Sequence, residues 1–333
     1  MTSRATAVAP SNIAFVKYWG AEDLEEVRPA NPSISMTLSQ CTTTTTVIHD
    51  PGAPGGLRLR LLDASGREQP APDAFRRGVE RHLRVLRREL DLPGRLTVVT
   101  SNDFPSDAGI ASSASGFAAL ALAAAGAAGE RLSPEEHSRL ARLSGSGSAC
   151  RSAWGGFVEW PGDGGFESAS PLAPADHWEL ADLIVLVDTE PKEISSREGH
   201  RRAATSPHFP RRQTLLPDRL QGVRRAIRDR SLDRLGPILE REAIELHLIA
   251  MSSEPPIFYW KPATLRVLDR VRRLRRQGIG AWFTMDAGAN VHVICETQHE
   301  EAVVEAVDGL VGVQGTIRDR VGSGPRRVEE HLA

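Results

Sequence analysis

Cysteine is scarce in this chain of 333 residues: Cys41, Cys150 and Cys295 lie far apart without paired ligand spacing. That pattern excludes a disulfide framework and argues against a zinc site. Charge of one sign is lacking too, since 41 basic residues against 43 acidic ones leave a net −2. No global field therefore draws nucleic acid or an anionic membrane. No apolar run approaches the roughly 20 residues that span a bilayer. No charged start followed by an apolar core and a cleavage site opens the sequence. The expectation is a cytosolic (cytoplasmic) protein with no membrane and no nucleic-acid partner. Internal repeats are absent, as are the Gly-x-x-x-x-Gly-Lys-Ser/Thr order of a P-loop and the spacing of a dinucleotide fingerprint.

What is present reads as an ordinary globular composition, with 40% hydrophobic and 25% charged residues. The length predicts two domains at about 150 residues each, and a boundary near residue 180 divides the chain into 1–180 and 181–333. From Ala7 to Val47 apolar and small polar residues alternate, interrupted by "RPANP", which predicts strands joined by a loop. Lys17 reads as a strand residue sharing a face with Phe15 and Trp19. The runs "RRGVERHLRVLRREL" and "RVRRLRRQG" set arginines among Val and Leu at helical spacing, so they are solvated faces of amphipathic helices. "RLTVVTSNDFP" is a strand, and an Ala-rich helix follows. The next helix has Ser133 as N-cap and Pro134 at its first position. "SGSGSACRSAWGGFVEW" reads as a loop entering a strand, and "LADLIVLVD" as a buried strand. Helices around 215–250 and 262–277, the latter closed by Gly278, precede two strands around a turn in "GAWFTMDAGANVHVICE" and a helix in "HEEAVVEAVDGL". Strands and helices mixed without a regular βαβ repeat define an α+β fold.

The loop Pro105–Ser115 carries the clearest chemistry. Gly109 supplies backbone freedom, Ala108 and Ala111 keep side chains away, and Ser112, Ser113 and Ser115 bring hydroxyls to a helix start. Successive amides there make an anion site; a close-packed helix entry is the other reading of the same residues. The order "PSDAGIASSA" resembles the phosphate loop of the GHMP kinase superfamily, which binds ATP. "NIAFVKYWG", "GSGSACRSAWGGFVEW", "ISSREGH" and "MDAGANVHVI" are similar, in the same order along nearly the whole chain, to the signature blocks of the mevalonate diphosphate decarboxylase family.

The resemblance implies a two-domain α+β GHMP kinase fold, with the active site between the domains and a ferredoxin-like C-terminal domain. It implies ATP and Mg2+ as cofactors, a homodimer, and decarboxylation of a 5-phosphorylated mevalonate after its 3-hydroxyl is phosphorylated. Asp286, Lys17 and Arg151 would be catalytic: Asp286 at the 3-hydroxyl, Lys17 beside it, and Arg151 on the substrate carboxylate. Asn12, Tyr18, Ser146, Ser148, Ser196 and Arg197 would join Arg151 in binding substrate. Ser106, Gly109, Ser112, Ser113, Ala114 and Lys192 would face ATP phosphates. No metal ligands are assigned.

One departure sets the expected substrate. Where many relatives read "KYWGK", this chain has Ala21 after Gly20, and a missing phosphate donor favours 5-phosphomevalonate, giving isopentenyl phosphate. "ELHLIAMSSEPPIFYWKPATL" also resembles the archaeal-type branch that includes phosphomevalonate decarboxylases. Arg28 is a nearby cation that could substitute. The alternative is the diphosphate substrate, giving isopentenyl diphosphate. A mevalonate 3-kinase and a non-catalytic nucleotide-binding module rank below both.

Overall fold

The computed structural model describes residues 1–105, 110–190 and 192–332. Two sheets organise them. In the larger, the long antiparallel strands Ser3–Val16 and Ser33–Asp50 pair almost end to end, with Thr6 opposite Thr46 and Val16 opposite Ile34. The threonine run is β-branched and suits a pleated surface. Arg95–Asn102 lies on the far side of Ser33–Asp50, followed by Gly56–Leu62 in parallel. Phe157–Trp160 pairs with the start of Ser33–Asp50. The short strand Arg326–Val328 returns from the far end of the chain to pair with Ser3–Val16.

Helix α1 (Asp73–Glu89), α2 (Ser112–Ala127) and α3 (Pro134–Arg142) cover the larger sheet. α1 buries Val79, Leu83 and Leu86. The alanines of α2 are almost wholly buried, so small side chains let it lie close to the strands. Ser133 caps α3 in a reciprocal capping box with Glu136.

The smaller sheet is antiparallel, in the order Ala281–Thr284, Val291–Glu296, Leu180–Leu186, Gly315–Arg320. With α4 (Ser196–Ala203), α5 (Phe209–Asp229), α6 (Leu232–Met251), α7 (Pro262–Arg276) and α8 (Glu300–Val307) it forms the ferredoxin-like second half. α7 ends as its composition predicts: Gly278 takes φ +86°, and the Ile279 amide returns to the Leu274 carbonyl. The whole is a two-domain α+β fold. Among the described residues, no helix is long and apolar enough to cross a membrane.

Two local expectations are corrected. Lys17 is not within a strand; pairing stops at Val16, and Lys17 is the first residue beyond it. The segment before "AWGGFVEW" is not an open loop but a 3-10 helix, Gly147–Ala153. It fits because Gly147 has no side chain: a Cβ there would stand 2.6 Å from Trp160 and 2.8 Å from Tyr18. α4 was not predicted, since "SREGHRRA" has no apolar periodicity. Its first turn is held by Ser195, which accepts from the Glu198 amide, and its exposed side by Glu198 with Arg202 at 2.8 Å.

Candidate active site

Three segments meet where the two halves of the chain face each other: the end of the first strand, the 3-10 helix, and the turn between Thr284 and Val291. The Lys17 ammonium donates to the Asp286 carboxylate at 2.8 Å and to the Ala14 carbonyl at 2.6 Å. Its side chain is 1% exposed against 26% for Asp286, so the carboxylate, not the ammonium, presents the open face. Burial pushes Lys17 below the usual lysine range, opposed by Asp286. Burial would raise Asp286, but the charge and hydrogen bond of Lys17 outweigh it and hold the carboxyl low.

The backbone of Lys17 is clamped by the second half of the chain. Its amide donates to Glu242 at 3.0 Å, and its carbonyl accepts from Arg212 and from Asn31, each at 2.9 Å. Glu242, fully buried on α6, also receives Arg212 at 2.7 Å and Arg219 at 2.6 Å from α5. The network fixes where the lysine leaves the strand, and no local sequence signal announced it.

Arg151 projects from the 3-10 helix and is 2% exposed. It donates to Ser33 at 2.6 Å, Ser35 at 3.0 Å and the Asn12 carbonyl oxygen at 3.2 and 3.3 Å. Among the described residues no carboxylate lies within ion-pair distance of it. A buried guanidinium held only by neutral oxygens is an anion site waiting for its counter-charge. Asn12, expected among the substrate-binding residues, accepts from Arg151, and its amide nitrogen donates to Ser152 at 2.8 Å and the Ser148 carbonyl at 3.2 Å.

The hydroxyls of Ser113, Ser146 and Ser148 form a chain at 3.3 and 3.1 Å, linking the start of α2 to the 3-10 helix. Ala111 enters α2 in the left-handed conformation and gives the helix no side-chain cap. The Ala114 amide donates to the Ala111 carbonyl at 2.8 Å, closing the first turn of the helix. Ser106 and Gly109 lie outside the described residues.

Tyr18 packs edge-on to Trp160, 5.0 Å between centroids, and burial drives its hydroxyl above the usual range. Lys192 donates to Ser196 at 3.1 Å and to the Ala287 carbonyl at 2.7 Å, beside Asp286. Arg197 donates to the Gly145 carbonyl at 3.2 Å and pairs with exposed Glu25 at 3.0 Å. Arg28 is committed elsewhere, to Glu26 at 2.6 Å and over the Phe166 ring. Arg81 was missed, because α1 read only as a solvated arginine face. It grips the Ser144 carbonyl at 2.9 and 3.0 Å, next to the carbonyl held by Arg197. Burial, then Arg197, lowers it from the usual arginine range.

Comparison with known proteins gives the family and the fold. The family described as diphosphomevalonate decarboxylase-like N-terminal domain matches residues 9–170, and the mevalonate 5-diphosphate decarboxylase C-terminal domain matches 182–329. The diphosphomevalonate decarboxylase of Ganoderma lucidum is 34% identical over 95% of this chain and 88% of its own. That of Homo sapiens is 36% identical over 86% and 75%. Among solved structures, the mevalonate diphosphate decarboxylase of Enterococcus faecalis superposes with TM-score 0.87 at 35% identity, covering 99% of this chain and 100% of that one. A complex of MDDEF with MVAPP, AMPPCP and magnesium gives TM-score 0.88 at 35% identity, covering 99% and 100%. Fold and site define an enzyme of the GHMP kinase superfamily. Within it, the chain belongs to the diphosphomevalonate decarboxylase family.

Proposed function

We propose that this enzyme decarboxylates 5-diphosphomevalonate with ATP, giving isopentenyl diphosphate for isoprenoid synthesis by the mevalonate pathway. The observation that carries the reading is a buried, carboxylate-free Arg151 beside the Lys17–Asp286 pair. That arrangement holds one cation for a substrate carboxylate and one ionised carboxylate for a hydroxyl. Asp286 accepts the hydrogen bond of the 3-hydroxyl and takes its proton as the oxygen bonds to the γ-phosphorus of ATP, whose bond to the β–γ bridging oxygen breaks to release ADP. Phosphate then departs with the C3–O electron pair and takes the proton from Asp286, so the carboxylate is again ionised as it faces the positive charge developing at C3. Arg151 holds the carboxylate until the C–C bond breaks, and that electron pair becomes the new double bond as CO2 leaves.

The start of α2, Ser113 and Lys192 would receive ATP phosphates. Among the described residues no group of three or more His, Cys, Asp or Glu side chains could hold a metal. Magnesium carried mainly by phosphates and water needs few protein donors, and the Asp286 carboxylate and Ser113 hydroxyl would be the ones to hold it. When bound, the ion neutralises phosphate charge during transfer.

The monophosphate expectation from Ala21 finds no support among the relatives, whose names specify the diphosphate. Ala21 removes one cation, and Arg81, which holds the carbonyl next to the one Arg197 holds, would restore one. Parallel assays with 5-diphosphomevalonate and 5-phosphomevalonate under Mg-ATP test the choice, with the higher kcat/KM expected for the diphosphate. A preference for the monophosphate reverses the substrate assignment, and ADP release without CO2 reverses the reaction. The division into 1–180 and 181–333, a homodimer and a cytoplasmic location complete the proposal. Exposed Ile244, Leu248, Phe258 and Leu265 are available to a dimer contact, which light scattering would detect.

A further inference from the structure

His200 stands four residues after Ser196 and three after Arg197 on α4, spacings that place the three side chains on one helix face. α4 lies tightly against Tyr18–Gly20, since any side chain at Gly199 would collide with the Trp19 indole. The His200 ring packs on Tyr18 at 4.1 Å and on Trp19 at 5.0 Å between centroids. The Gly20 amide donates to its Nδ1 at 3.1 Å. A ring nitrogen that accepts a hydrogen bond carries no proton, so in the neutral ring the single N–H is on Nε2. Burial, reinforced by Arg151 and Arg197, pushes His200 down to about 3, so the ring stays neutral. Among the described residues Nε2 has no hydrogen-bond partner, and the side chain is only half-buried. The neighbouring Ala21 offers no side-chain donor.

We propose that His200 is a specificity-determining residue that donates from Nε2 to the phosphate tail of the substrate, beside Arg197 and Ser196. This rests on the phosphorylated-mevalonate reading above. Arg81, Arg151 and Arg197 already bring three guanidiniums to this region, and a fourth cation would repel them. A neutral donor of fixed tautomer adds a directed hydrogen bond without that cost. Ring stacking and the Gly20 bond aim it before substrate arrives.

Wild type, His200→Asn and His200→Gln are compared by steady-state kinetics with 5-diphosphomevalonate and by calorimetric titration with inorganic pyrophosphate. Asparagine keeps an acceptor for Gly20 but loses the Nε2 donor, whereas glutamine carries an amide donor out to that position. His200→Asn is expected to raise KM and the pyrophosphate Kd roughly tenfold or more with kcat within about threefold, and His200→Gln to recover most of the loss. Unchanged KM and Kd in His200→Asn overturn the proposal. Equal losses in both variants with a lowered Tm also overturn it, because ring stacking is then the whole role. A wild type that turns over no phosphorylated mevalonate sinks the functional reading instead. The pyrophosphate titration still decides the role of His200, and no pyrophosphate binding by the wild type overturns that role.

Discussion

The ammonium of Lys17 and the carboxylate of Asp286, 269 residues apart in sequence, meet at 2.8 Å with only the carboxylate opening outward. Lys17 keeps Asp286 ionised, and in the mechanism proposed above Asp286 is the base. Asp286→Asn keeps the shape and a weaker hydrogen bond to Lys17, which burial already pushes low and which, unlike an arginine, can shed its proton, so its Tm should stay within a few degrees of wild type. Its kcat should fall about 100- to 10,000-fold, the usual contribution of a positioned acid or base. Single-turnover ADP formation checks this, and a rate near wild type removes Asp286 from the mechanism.

Arg151 should be a residue that function needs and stability does not. Its charge is buried without a counter-charge, so Arg151→Gln removes a desolvation penalty while leaving the Ser33 and Ser35 hydroxyls free to repartner. The expected result is an unchanged or higher Tm together with a kcat/KM about 100-fold lower or worse. A large Tm drop would mean that Arg151 is structural.

The Glu242–Arg212–Arg219 cluster predicts the reverse. Glu242→Gln leaves two buried guanidiniums without their shared carboxylate. Breaking such a pair should cost about 3–5 kcal/mol in a urea titration. It also loosens the amide of Lys17, so kcat should fall in the protein that remains folded. Stability unchanged by this substitution would refute the clamp.

Acid sensitivity follows from the histidines. Burial pushes His82, His137 and His247 down to about 4. In the unfolded chain each titrates near 6.5, so below that pH the unfolded state binds protons that the folded state refuses. Stability should therefore be full above about pH 6.5 and fall as pH drops toward 4. Tm measured across that range checks the direction, and His82→Gln, which removes one such proton, should flatten the slope. A Tm constant over the window contradicts it.

Arg197→Gln and Arg81→Gln, separately, should raise KM for the diphosphate substrate more than for the monophosphate, because both guanidiniums hold adjacent carbonyls beside the serine chain. Equal effects on both substrates would remove the pair from phosphate discrimination.

Much of this protein was readable residue by residue. Hydrophobic periodicity announced α1 and α7, alanine propensity announced α2, and cap chemistry marked Ser133 and Gly278, because these signals act between residues a few positions apart. The chemical types at the site were legible too: Lys17, Arg151 and Asp286 stand in blocks whose resemblance named their roles. Tertiary structure alone decided what depends on distant partners. It ended the strand at Val16 and gave Lys17 to Glu242 and Arg212. It turned a Ser/Gly segment into a 3-10 helix wedged under Trp160, and drew Asn12 onto Arg151. It also brought Arg81 to the carbonyl next to the one Arg197 holds, and laid His200 against Tyr18 and Trp19. Local propensity extends over a turn or two, whereas charge, burial and hydrogen bonding act through space, and only the folded chain sets those distances.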